Sequence, residues 1–142
     1  MNFDIRSPQS DDISFIYATW LNSQKYDSTI GLSTTKTIFF EQYRTVIDHI
    51  LAKEDTKVLI ACDKQDPNTI FGYLVYEPDV LHYVVVKEAF WSLGIATTLF
   101  EQAFGMGVGV ECTHRTEHVK DYFTGNSNLS FNPFLLYAKE TN

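Results

Sequence analysis

The stretch VVVKEAFWSLGIATTLFEQAF, Val84 to Phe104, limits what this chain can fold into more than any other. Three valines read as the end of a buried strand. Trp91-Ser92-Leu93-Gly94-Ile95-Ala96 reads as a small-residue turn. A helix is expected from near Ser92, with Ile95, Ala96, Leu99, Phe100 and Ala103 on its buried face and Gly105 and Gly107 ending it. A buried strand that feeds such a turn into a helix start is an anion site. The first helical N–H groups lack intrahelical acceptors, and the helix dipole is positive at that end. Gly94 and Ala96 would let a diphosphate approach the backbone, and Ser92 and Thr97 could add hydroxyl donors. The stretch is neither a P-loop nor a dinucleotide fingerprint, because GxxxxGK[ST] and GxGxxG are both missing. On its own the pattern also fits an ordinary connection with a packing glycine.

The rest of the chain supplies the frame. Phe3 to Arg6 reads as a strand, Ser7-Pro8 as a break, and Ser10 or Asp11 as a helix cap. Ile13, Ile16, Tyr17, Trp20 and Leu21 lie on one helical face. The polar stretch Asn22 to Lys36 is expected to be a long loop of the functional kind. A second helix is expected from Thr37 to Ala52, with Phe39, Tyr43, Val46, Ile47, Ile50 and Leu51 inward. Lys57–Lys64, Thr69–Glu77 and Val80–Lys87 read as three strands joined by tight turns. The last of them is apolar enough for burial on both faces. Val108 to Thr113 alternates like a strand, Glu117 to Phe123 reads as a short helix, and LSFNPFLLYA as a terminal extended segment with a bulge or edge at Pro133. The order β-α-α-β-β-β-α-β-α-β implies an α+β (mixed α/β) fold in one domain, residues 1–142.

Composition narrows the function classes. The 142 residues are 44% hydrophobic, enough for a packed core. No apolar run approaches the roughly 20 residues that span a bilayer. MNFDIRSPQSDD lacks the charged-then-apolar design of a signal peptide, so a cytoplasmic location without membrane partners is expected. Cys62 and Cys112 lie in apolar stretches without CxxC spacing, and two buried thiols are expected. A net charge of -7 disfavours sequence-independent nucleic-acid binding and suits a cationic partner such as an amine.

In length and element order the chain resembles the GNAT acyltransferase family. The family's acetyl-coenzyme A loop, [Q/R]-x-x-G-x-[G/A] directly after a buried strand, falls on Trp91 to Ala96. Gly94 and Ala96 match, and Trp91 stands where Gln or Arg is usual. MNFDIRSPQSDDISFIYATW is similar to the family's opening strand and capped helix. More distantly, THRT followed by NPFLLY resembles small phage-encoded GNAT-like proteins. The resemblance implies a mostly antiparallel mixed sheet flanked by helices, with acetyl-coenzyme A as co-substrate and no metal. Backbone N–H groups from Trp91 to Thr97 would hold the pyrophosphate, and Val84, Val85 and Val86 would pair with pantetheine. The implied reaction is acetyl transfer to a primary amine, on a small molecule or a lysine side chain, and homodimerisation is common in the family.

Acetyl transfer needs a polarised thioester, a deprotonated amine, alignment, and a proton for the leaving thiolate. By the resemblance, the N–H of Val84 or Val85 would polarise the carbonyl. Tyr122 would protonate the thiolate, with Tyr137 as second candidate, and Trp20, Tyr26 and the Asn22–Lys36 loop would line the acceptor side. For the base, Glu77 ends one strand and His82, which titrates near neutrality, lies on the next. His114 and His118 are four apart, but a third metal ligand at useful spacing is lacking. Two other readings stay open: a GNAT-like module without catalysis, and group transfer to a nucleobase, which needs Lys25, Lys36, Arg44, Arg115 and Lys120 to gather at one mouth.

Overall fold

The computed structural model describes residues 3–105, 109–114 and 129–137. Strand β1 (Phe3–Arg6) leads into helices α1 (Asp12–Asp27), α2 (Thr29–Ser33) and α3 (Lys36–Ala52). Strands β2 (Lys57–Asp63), β3 (Ile70–Glu77) and β4 (Val80–Val86) follow, then a 3-10 helix (Glu88–Leu93) and helix α4 (Ile95–Phe104). Strand β5 (Val110–Cys112), strand β6 (Leu129–Phe131) and a second 3-10 helix (Pro133–Tyr137) end the described chain. The strands form one sheet in sequence order, antiparallel from β1 to β4 and parallel from β4 to β6. This is the mixed α+β architecture expected.

Strand alternation sorts the core onto two faces. Leu74, Leu81, Val84 and Val86 pack with Ile95, Ala96, Leu99 and Phe100 of α4. Tyr73, Val75 and Tyr83 pack with Ile16, Trp20 and Leu21 of α1 and with Ile47 and Ile50 of α3. Cys62 and Cys112 are buried free thiols, as expected. No helix among the described residues is long and apolar enough to cross a membrane.

Four expectations need correction. Neither Ser10 nor Asp11 caps α1 through its side chain. Asp11 does hold the N-cap position, without a side-chain cap bond, and Asp12 in the first turn accepts the Gln9 N–H at 2.7 Å and a two-pronged contact from Arg6 at 2.7 and 3.0 Å, which ties β1 to the helix start. The polar stretch from Asn22 is not a loop. α1 continues to Asp27 because Gln24 and Lys25 are themselves buried there, and α2 folds back at once. Ser28 caps α2 by accepting the Gly31 N–H at 3.1 Å, and Lys25 Nζ donates to the Gly31 carbonyl at 2.8 Å. The helix expected from Ser92 starts as α4 at Ile95, because Gly94 interrupts it with a left-handed conformation. The described residues after Asn132, Pro133–Tyr137, are not extended. Pro133, whose fixed φ suits a first helical turn, opens the 3-10 helix. The helix expected over Glu117–Phe123 lies outside the described residues.

Gly31 sits where α2 presses on the end of α1. A Cβ there would lie 2.2 Å from the Gln24 carbonyl oxygen and 2.5 Å from that of Lys25. Backbone cannot step aside as a flexible side chain can. Gly31→Ala is therefore expected to cost about 1–3 kcal/mol, read as a lower urea midpoint at unchanged slope.

Candidate functional site

The site begins where two strands part. Among the described residues β5 pairs with β4 only at Val80↔Glu111 and Leu81↔Cys112, and a bond from Thr113 N–H to the Leu81 carbonyl closes the ladder. β4 runs on through His82 to Val86 beyond it. The β3–β4 register also slips here: Val75 faces Tyr83, but Tyr76 faces Leu81, so His82 is an inserted residue. The Lys87 N–H bonds the Phe71 carbonyl at 2.8 Å, which makes Tyr73–Val85 and Val75–Tyr83 the bonded pairs of the ladder. By alternation Val84 and Val86 turn their backbone groups to the parted edge, and Val85 turns its own toward β3.

The turn at the far end of that edge is built as follows. Gly94 has φ 75° and ψ 18°, and an added Cβ would meet nothing within 4 Å. The first helical bond of α4 runs from Thr98 N–H to the Gly94 carbonyl at 3.0 Å. The N–H groups of Ile95, Ala96 and Thr97 therefore precede any intrahelical acceptor. Trp91, in the 3-10 helix with Ser92 and Leu93, is 41% exposed and donates its indole N–H to the Val86 carbonyl at 2.6 Å. Its side chain thus takes an acceptor on the edge of β4 that faces away from β3.

At the other end of β4 the two base candidates meet. His82 Nε2 lies 2.5 Å from Glu77 Oε2, and Lys53 Nζ lies 3.5 Å from the same oxygen. The inserted position lets His82 reach across to β5, where Nδ1 lies 2.9 Å from Thr113 Oγ1. Thr113 Oγ1 lies 2.8 Å from His114 Nδ1, and His114 Nε2 is hydrogen-bonded to the Tyr43 hydroxyl. Gln24 Nε2 donates to that hydroxyl at 3.2 Å. Burial pushes His82 below the usual histidine value, against the opposing pull of Glu77. Burial, with a smaller contribution from His82, takes His114 down to about 3. Burial works to raise Glu77, but the bond to His82 and the charge of Lys53 hold it below the ordinary carboxylate value. Glu77 is thus ionised and both histidines are neutral near pH 7.

The other expected residues are scattered. Trp20 is fully buried, stacked on Tyr83 at 5.0 Å and edge-on to His114 at 5.4 Å. Tyr26 is 54% exposed and lies under Lys25 Nζ. Tyr122 and His118 lie outside the described residues, and Tyr137 belongs to the last 3-10 helix. His114 uses both ring nitrogens in hydrogen bonds, and no group of three metal-ligating side chains occurs among the described residues. Lys25 points inward at Gly31, while Lys36 and Arg44 lie over Phe40 and Tyr17. Sequence reasoning passed over Tyr43 and Thr113. The only hint was a hydroxyl on an apolar helix face and a polar pair ending a buried strand.

No family model matches the chain, and no curated protein matches it. Solved structures do. Apo YjaB from Escherichia coli is 15% identical with a TM-score of 0.49, covering 72% of this chain and 65% of its own. A possible acetyltransferase from Clostridium difficile 630 is 14% identical with a TM-score of 0.49, covering 100% and 83%. Spermidine N-acetyltransferase from Vibrio cholerae, solved with CoA and spermine, is 14% identical with a TM-score of 0.45, covering 72% and 61%. This chain thus spans less than two thirds of the first and third.

The neutral histidines have a consequence for stability. Their folded-state affinity for protons lies below the unfolded value of 6.5. Below that pH the unfolded chain binds more protons, so stability present above pH 6.5 is lost as pH falls. His114 alone should contribute a loss of about 2 kcal/mol between pH 6.5 and 5. Urea midpoints at pH 7 and pH 5 measure it, and an unchanged midpoint would contradict a neutral His114. The architecture, a mixed sheet whose fourth and fifth strands part beside a glycine-led helix start, is the one that the resemblance to the GNAT family implies.

Proposed function

We propose that this protein transfers an acetyl group from acetyl-coenzyme A to a primary amine, on a small molecule or a lysine side chain. One observation carries the reading: the β4 edge parts from β5 just after Leu81 and leads to the α4 N-terminal turn. In this reading pantetheine lies along Val84–Val86 as an added strand. The N–H groups of Gly94 to Thr97 take the pyrophosphate. Val84 N–H, rather than Val85 N–H, polarises the thioester carbonyl, because it faces the parted edge. His82 and Glu77 act together as the proton sink for the ammonium. Tyr122 remains the proposed acid for the leaving thiolate.

A second reading has one observation in its favour. The Trp91 indole already holds the Val86 carbonyl, as a residue closing the groove would. A GNAT-like module that does not take the coenzyme would look like this. The nucleobase reading is weaker, since Lys25 is turned into the protein.

Titration calorimetry with acetyl-coenzyme A separates the first two. Micromolar binding is expected. Gly94→Val should weaken it at least tenfold, while stability falls by only about 1–2 kcal/mol from the left-handed backbone, because its Cβ meets open space. Absence of binding at near-millimolar ligand would give preference to the closed module. His82→Gln should leave coenzyme affinity intact and lower kcat by about 10²–10⁴ in an amine-acetylation assay.

A further inference from the structure

The hydrogen bonds around His82 have a direction. Glu77 is ionised beside Lys53 and only accepts, so His82 carries its proton on Nε2 and presents Nδ1 as an acceptor. The Thr113 hydroxyl therefore donates to His82 Nδ1 at 2.9 Å. It has one proton, so its oxygen accepts from His114 Nδ1 at 2.8 Å. The His82 backbone also bonds the His114 ring and favours a proton there. His114 Nε2 is left as an acceptor for the Tyr43 hydroxyl. One tautomer of each histidine fits all of these bonds.

Both nitrogens of His82 are thus engaged, Nε2–H on Glu77 and the Nδ1 lone pair on Thr113. His82 is 2% exposed, Thr113 2% and His114 3%, whereas the Glu77 side chain is 18% exposed. A hydrogen bond made to the neutral form of a group disfavours its charged form. A second proton on His82 would have to displace the Thr113 O–H. Thr113 would then turn to His114, the His114 proton would have to leave Nδ1, and the Tyr43 hydroxyl would have to turn away. Charging His82 therefore means reversing the whole row inside the core. A proton on the Glu77 carboxylate leaves the row unchanged, because one oxygen can still accept from His82. Burial works in the same direction and lowers both imidazoles.

We propose that Thr113 and His114 are positioning residues for His82: they hold it as a neutral Nε2–H donor, so that a proton taken up by the pair stays on the Glu77 carboxylate. This rests on the acetyl-transfer reading, in which the pair receives the ammonium's proton. That proton forms an O–H bond on Glu77 and leaves from there to solvent. The amine keeps its electron pair for the thioester carbon as the C–S bond breaks. His82 keeps its single proton throughout, and none moves along Thr113 or His114. Both act through His82, and His82 through Glu77.

The titratable and charged groups facing His82 are Glu77 from β3, Lys53 just after α3, and His114 beside Thr113 at the end of β5. Imidazole ¹⁵N shifts test the arrangement in the wild-type protein without any substrate. Near pH 7 they should report the Nε2–H tautomer for His82 and the Nδ1–H tautomer for His114. Any other pair, or a doubly protonated His82, overturns the proposal, and this holds even where a variant fails to fold. Followed against pH, Thr113→Val should raise the His82 midpoint by about one unit or more, a roughly tenfold gain in proton affinity. Thr113→Ser, which keeps the hydroxyl, should restore it. An unchanged midpoint in Thr113→Val overturns the role of Thr113. In the amine-acetylation assay Thr113→Val should lower kcat about tenfold or more at unchanged coenzyme affinity, with Thr113→Ser again close to wild type. Equal losses in the two variants overturn the positioning role. Absence of transfer by the wild type to any amine would sink the acetyl-transfer reading, while the tautomers would still support or overturn the arrangement at His82.

Discussion

The extra residue in β4 governs the site. A regular strand would place His82 opposite Tyr76 with its side chain on the α4 face beside Val84, and would turn Leu81 to the other face. The insertion breaks the alternation. Leu81, Val84 and Val86 stay with α4, Tyr83 goes to the Trp20 side, and His82 reaches both Glu77 and Thr113. The same local twist coincides with the point where β5 leaves β4, so a single irregularity sets the parted edge and the polar cluster together.

That cluster is expensive to bury. Tyr43, Thr113, His82 and His114 carry many polar atoms into a core dominated by aromatic and aliphatic side chains, and each unsatisfied one would cost as much as a lost hydrogen bond. The bonds between them offset that cost only because all are made in one consistent direction. A partly satisfied network would be worse than an apolar one. Apolar replacement of the four would be a simpler way to stabilise the sheet, so the cluster reads as kept for something other than stability. Trp20 helps to hold it dry, stacked on Tyr83 with His114 against its edge.

Much of the fold could be read from the sequence because the strands from Lys57 to Val86 alternate cleanly and are separated by turn residues. α3 and α4 carry apolar faces at helical spacing, and their expected inward residues are largely the buried ones. α1 was read too short for a physical reason. Its last turns bury Gln24 and Lys25, which no hydrophobic period marks. Gly94 was legible as a turn residue, but the 3-10 helix before it was not, since Glu88 to Leu93 has the composition of either conformation. In the site, Glu77 and His82 could be suspected one by one. Their meeting depends on an inserted residue that no spacing announces. Tyr43 and Thr113 were hidden because one hydroxyl on an apolar helix and one at a strand end become partners only through tertiary packing.

Coenzyme and acceptor chemistry would then fall at opposite ends of β4. The Val86 end has backbone donors and a glycine whose missing side chain leaves open space, features that suit a large anion. The His82 end has an ionised carboxylate and neutral imidazoles, features that suit a cation giving up a proton. The chain's net charge of -7 favours a cation's approach but not the anion's. Local backbone geometry, rather than overall charge, would have to carry the affinity for a coenzyme bound as proposed. Trp91 adds no positive charge where Gln or Arg is usual, so the balance at that end rests on N–H groups alone, and on how readily the indole gives up the Val86 carbonyl. Opening that one 2.6 Å bond is the step on which the two readings of this protein divide.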